Sequence, residues 1–212
     1  MIFFIFFTTI FAARYGVDIA ESISTSSITC LRDLGYDDFF IFRAWRSIGQ
    51  FDSNAATTNS RAIDAGFASG NIDAYFYPCY SCGDAAGQVS TFWSTVTDKG
   101  MKFNRLYFDI EGTWSSSTST NRKFFETLTN KAESLGIKSG IYGSKYYWGE
   151  ILGSSYKFEF ASTWKLWYAH YDNVKSFSDF ESFGGWSSPY TKQYAGDQTA
   201  CSHDVDYNFR DN

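Results

Sequence analysis

A chain of 212 residues with 23 acidic and 18 basic side chains carries a net charge of −5 and has no basic cluster, which argues against a nucleic-acid partner. At this length one large domain is expected rather than two. Aromatic residues make up 21% of the chain, more than a core of this size needs, and its 15 Tyr and 7 Trp suit a surface that stacks on ring-shaped ligands such as sugars.

Residues 1–13 form an apolar run too short to span a bilayer as a helix, and they read as a signal-peptide core with cleavage near Ala12 or Ala13. The run lacks the usual Lys or Arg ahead of it. No stable membrane anchor is expected, and residues 14–212 read as one catalytic domain. Strands are expected at 15–20, 39–44, 71–77, 105–110, 138–142 and 166–169, with the last two at 191–194 and 204–207.

Helices are expected between them. Ser26 or Ser27 caps a first helix with Ile28, Leu31 and Leu34 on one face, ended by Gly35. A weakly apolar helix spans about 55–68. Residues 84–100 carry Ala85, Val89, Phe92, Trp93 and Val96 on one face, and residues 120–136 carry Phe124, Phe125, Leu128, Ala132 and Leu135. A short helix is expected at 146–152.

Strands that are continuous apolar runs, alternating with helices, indicate a parallel sheet covered on its faces. A closed (β/α) barrel and an open doubly wound sheet both fit. No Gly-rich phosphate loop follows any strand, which argues against a nucleotide-binding open sheet. About 200 mature residues lie at the lower limit for a full eightfold barrel. The expected fold is therefore α/β, an irregular TIM-like barrel of a single domain with trimmed late helices.

Four cysteines fit a secretory route, because an oxidising compartment favours disulfides. Cys79-Tyr-Ser-Cys82 reads first as a structural disulfide, with a redox pair or half a zinc site as alternatives. Zinc wants further Cys or His nearby, and the only histidines are His170 and His203. Cys30 and Cys201 then pair, tying the first helix to the last strand. His170 reads as a satisfied structural histidine. His203, in an expected loop, has no assigned role. Neither a metal site nor a cofactor is expected, since no His/Cys cluster joins the acidic residues.

The chemistry lies in the carboxylates. The apolar strand Leu106-Tyr-Phe ends in Asp109 and Glu111, and positions i and i+2 of a strand share a face. Burial raises the pKa of at least one of two such like charges, which is how a carboxyl stays protonated as a general acid beside an ionised neighbour. Asp18 ends the first strand, and Asp206 sits in a late one. In a closed barrel the first and last strands are neighbours, so three strands deliver all four carboxylates to one pocket.

Seven stretches, in order along nearly all of the mature chain, carry a specific resemblance. They are Gly16-Val-Asp-Ile-Ala20, Asn71-Ile-Asp-Ala-Tyr-Phe-Tyr77, Tyr107-Phe-Asp-Ile-Glu-Gly112, Gly140-Ile-Tyr-Gly143, Leu166-Trp-Tyr-Ala169, Gln193-Tyr194 and Val205-Asp-Tyr-Asn208. The chain resembles glycoside hydrolase family 25, the Chalaropsis-type lysozymes, in particular the nematode and protist branch. The resemblance implies an irregular barrel that cleaves the β-1,4 bond between N-acetylmuramic acid and N-acetylglucosamine of bacterial peptidoglycan. It implies Glu111 as the general acid and Asp109 as the carboxylate that assists the substrate's acetamido group. Asp18 and Asp206 match the two further pocket aspartates, and Tyr75 and Tyr142 match aromatic residues lining the sugar groove. Tyr107, Trp167 and Gln193 are further candidate substrate contacts. Where many family members carry Lys-Ala-Thr-Glu-Gly after the second strand, this chain has Arg43-Ala-Trp-Arg-Ser47, so groove contacts on that side differ.

Two other functions fit the strand-end carboxylates. A chitinase-like hydrolase would carry an Asp-x-x-Asp-x-Asp-x-Glu run, but Asn104-Arg-Leu-Tyr-Phe108 precedes Asp109. An inactive glycan-binding paralogue would be free to lose its costly acidic residues, yet all four are present. A monomer is expected, either secreted or held in the lumen of a lysosome or phagosome.

Overall fold

The computed structural model describes residues 13–211, so the expected leader falls outside the described residues except for Ala13. In chain order the elements are β1 (Arg14–Ile19), α1 (Thr25–Asp33), β2 (Phe39–Arg46), β3 (Gln50–Phe51), α2 (Ala55–Asp64) and β4 (Ile72–Phe76). There follow α3 (Ala85–Asp98), β5 (Arg105–Asp109), α4 (Thr118–Ser134), β6 (Ser139–Gly143) and α5 (Lys145–Leu152). The last three are β7 (Lys165–Ala169), β8 (Thr191–Ala200) and β9 (His203–Arg210). Neighbouring strands run β1-β9-β8-β7-β6-β5-β4-β2, and β1 pairs back onto β2 to close the barrel. The two-residue β3 only extends β2 as a hairpin. Among the described residues five α-helices follow the early strands and none follows β7 or β8, so the late helices are trimmed.

The sheet is mixed rather than wholly parallel, which corrects the sequence expectation. β9 runs antiparallel to both β8 and β1. The cause is the connection between β8 and β9, which is only Cys201 and Ser202, both at positive φ (52° and 66°). Two residues can join antiparallel strands, whereas a parallel crossover needs a dozen or more. Cys201 accordingly lies in that turn and not in the last strand, and its disulfide to Cys30 staples α1 to the turn. The second disulfide, Cys79–Cys82, closes the loop after β4. His203 opens β9 instead of lying in a loop, with Nδ1 2.7 Å from Glu21 Oε1.

Helix starts follow local hydrogen bonding. Ser24, Ser117 and Ser144 each accept a bond from the backbone N–H three residues on, and Asp84 does the same for α3. α1 therefore begins ahead of Ser26, and it ends at Asp33. That leaves Leu34 as the C-terminal cap, 59% exposed, and not on the buried face where the periodicity put it.

Strand alternation then divides the core. Outward residues such as Phe40, Phe42, Phe76, Leu106 and Phe108 pack with α1–α5 in the main cluster. Inward residues Phe39, Ile41, Tyr107, Tyr142 and Trp167 fill the barrel. Glycines make room for them: a Cβ at Gly16 would lie 2.5 Å from the Phe39 ring, and one at Gly140 2.6 Å from the Tyr107 ring. Deeper still, a buried ion pair spans the barrel. Arg210 donates to Asp73 Oδ2 at 2.6 Å and to Thr191 Oγ1 at 2.8 Å, with its guanidinium 3.7 Å from the Phe39 ring centre.

Candidate active site

At the upper edge of this aromatic layer, where Tyr142 and Trp167 reach it, most inward positions are polar. Asp18 of β1, Tyr75 of β4, Asp109 of β5, Tyr142 of β6, Trp167 of β7, Gln193 of β8 and Asp206 of β9 line one pocket with Glu111 and Tyr171 from the loops. For the parallel strands this is the C-terminal end, where barrel loops converge. Asp206 reaches it from the early half of its strand because β9 runs the other way, pairing Asp206 with Asp18. The structure thus brings Asp18, Asp109, Glu111 and Asp206 together, with Tyr75, Tyr142, Trp167 and Gln193 around them. Tyr107 is not in the pocket. It points inward like Asp109 but sits two residues, about 6.6 Å, further down its strand, fully buried and edge-on to Trp167.

Gln193 organises the group. It is 2% exposed, and its amide nitrogen donates to Asp18 Oδ1 and Asp206 Oδ2, each at 2.8 Å. Its oxygen accepts from the hydroxyls of Tyr142 at 2.6 Å and Tyr171 at 2.8 Å. With its NH2 on the two aspartates, the amide leaves its oxygen free for the two tyrosine hydroxyls. Asn208 repeats the device: it donates to Asp18 Oδ1 at 2.6 Å and accepts from Trp167 Nε1 at 2.8 Å. Asp206 Oδ1 also takes the backbone N–H of Asp197 at 2.8 Å. Tyr171 escaped the sequence reading because it lies in an irregular segment with no periodicity. Asn208 was within a matched stretch, but nothing there marked it as a partner of Asp18.

Every pocket carboxyl is pushed toward its protonated form. Burial raises Asp18 well above the usual range, and Asp206 adds to the shift against the opposing hydrogen bonds of Asn208 and Gln193. Burial raises Asp109 likewise, with the Glu111 and Asp18 charges adding. Glu111 is raised by burial and then by Asp206. Asp206 is pushed up to about 6, mainly by burial. The four shifts run the same way because like charges crowd one buried pocket, which disfavours ionising all of them together. Asp109 Oδ1 is buried with no hydrogen-bond partner among the described residues. An unpartnered acceptor beside carboxyls biased toward protonation suits general acid–base chemistry.

A family model described as lysozyme-like protein 1 matches residues 10–194. A probable GH family 25 lysozyme 2 of Dictyostelium discoideum is 39% identical over 202 residues, covering 94% of this chain and 92% of that protein. Lysozyme-like protein 5 of Caenorhabditis elegans is 35% identical over 209 residues, with 97% and 95% covered. A solved family GH25 lysozyme from Aspergillus fumigatus has the same fold, with a TM-score of 0.72 at 16% identity and 95% of each chain covered. In sequence and in barrel architecture alike, the chain belongs to the glycoside hydrolase family 25 lysozymes and is a glycoside hydrolase.

Proposed function

We propose that the pocket hydrolyses the β-1,4 bond between N-acetylmuramic acid and N-acetylglucosamine in bacterial peptidoglycan. The observation that carries this reading is the pairing of Glu111, raised in pKa, with the buried and unpartnered oxygen of Asp109. An N-acetyl sugar offers both what they need: a leaving oxygen to protonate and an acetamido N–H to bind.

In the first step Glu111 gives its proton to the glycosidic oxygen, and the C1–O bond breaks. The acetamido carbonyl oxygen bonds to C1, and Asp109 takes the amide N–H as that group becomes positive. In the second step the Glu111 carboxylate removes a proton from water, whose oxygen attacks C1 and reopens the acetamido ring. Configuration at C1 is retained. Asp18 and Asp206 supply negative potential beside the developing cation, while Tyr75, Tyr142 and Trp167 give the sugar an aromatic wall.

The test is clearing of bacterial cell walls, followed by turbidity. Glu111→Gln should lower the rate by about 10²–10⁴-fold with walls still bound; a variant as active as the parent would overturn the assignment. Walls cleared with nothing released from chitin separate this reading from a chitinase. The two disulfides support an oxidising route, either secretion or delivery to a lysosomal or phagosomal lumen. Mass spectrometry of the chain from its host should find the N-terminus near residue 13 or 14.

A further inference from the structure

Lys192 is fully buried, and its ammonium lies 2.8 Å from Asp172 Oδ2 and 2.9 Å from Asp179 Oδ1. A lysine is almost never fully buried unless it is paired, and here the two carboxylates that pair it reach solvent in part, 21% and 22% exposed. Both carboxylates belong to residues 170–190, the segment between β7 and β8 that forms no helix and no strand beyond one isolated bridge. A loop of this length in a compact barrel needs anchoring. Asp179 also takes the Tyr168 hydroxyl at 3.1 Å and lies 2.5 Å from His170 Nδ1. Its carboxyl is held down to about 2, where the bonds from Lys192 and His170 outweigh desolvation. The same His170 and two aspartates cluster closely enough to hold a cation, and the Lys192 ammonium bonds to two of the three.

The chain positions of these residues matter most. Lys192 directly precedes Gln193, and Asp172 directly follows Tyr171. Neighbouring residues on a strand point to opposite faces, so Lys192 grips the loop outside the barrel while Gln193 bonds Tyr171 inside it. Two backbone bonds complete the attachment, from His170 N to Gln193 O at 3.1 Å and from Asn173 N to Tyr194 O at 2.9 Å. Tyr171 itself is 56% exposed, so its hydroxyl bond and its anchored neighbours hold it over the pocket.

We propose that Lys192 is a positioning residue for the hydrolytic reaction: its grip on Asp172 and Asp179 keeps the Tyr171 hydroxyl on the Gln193 oxygen. The Gln193 amide then stays turned toward Asp18 and Asp206. Without the ammonium, two like charges share the space under the loop and push it outward. The inference rests on the glycosidase reading above, because only a reaction makes the aim of Gln193 matter.

Lys192→Met removes the charge at similar volume. The expected result is a fall in kcat of about 10–100-fold on cell walls, with KM changing less. Tyr171→Phe should lower kcat too, and the double variant should be no worse than Lys192→Met alone. Losses that multiply would overturn the proposal, since they would mean that the two residues act independently. Asp172→Asn, which leaves no buried charge unpaired, should shift kcat in the same direction by less and guards against a folding defect. Hydrogen exchange provides an arm independent of substrate: the amides of His170 and Asn173 should exchange faster in Lys192→Met, and unchanged exchange sinks the idea. If the parent chain clears no walls, exchange alone decides the role of Lys192, and the failure belongs to the substrate reading.

Discussion

A carboxyl whose pKa is raised in the folded state stabilises the fold only while protonated. For Glu111 that contribution is complete below the unfolded value, about 4.5, and is lost as pH rises through the higher folded value. Glu111→Gln should therefore melt near the parent at pH 4 and progressively above it toward pH 7.5; a Tm difference that stays flat with pH would contradict the burial argument. The same protonation governs rate, so wall clearing should decline on the alkaline side as Glu111 loses its proton. Gln193→Leu keeps the volume but removes four hydrogen bonds, leaving Asp18, Asp206 and two tyrosine hydroxyls short of partners. Each buried group so stranded costs about 1–3 kcal/mol, which urea unfolding would register as a lower midpoint. At this scale the acidic residues were legible in the sequence, because a charged side chain ending an apolar run has few structural explanations. Tyr107, a candidate substrate contact by sequence, lies below the pocket, since alternation gives the face of a strand but not the depth along it. Tyr171 was not legible at all, because tertiary anchors alone bring it to the pocket.

Among the described residues, the sequence pattern disclosed eight of the nine strands. The exception, β3, has two residues and no pattern of its own. Direction was harder to read than existence. The antiparallel return of β9 depends on a turn built from Cys201 and Ser202, which carries none of the Asn-Gly or Asp-Gly signals that mark such turns. The deep ion pair was equally hidden, since Asp73 and Arg210 lie 137 positions apart and meet only when β4 and β9 share a barrel. Asp73→Ala should cost about 3–5 kcal/mol, because it strands the Arg210 guanidinium among Phe39, Tyr107 and Tyr190. Replacing both partners with apolar residues should cost much less. Chemical denaturation of the single and double variants measures the difference, and equal losses would show that the charge pair is not the cause.

Over the whole molecule, the disulfide between Cys30 and Cys201 closes a loop of 171 residues. On the chain-entropy account such a loop is worth about 5 kcal/mol as an upper figure. Cys30→Ser with Cys201→Ser should lower the urea midpoint accordingly, whereas the three-residue Cys79–Cys82 link should matter far less. The barrel closes where β1 lies between β2 and β9. Asp18 comes from β1, and its partners Asp206 and Asn208 come from β9, far along the chain. Until β9 docks between β1 and β8, Asp18 lacks both of these partners, so the four carboxylates converge only in the closed barrel. Folding of this kind is dominated by distant contacts and is slow. Its consequence is all-or-none assembly: a fragment that stops before His203 contains neither Asp206 nor Asn208 and cannot build the pocket.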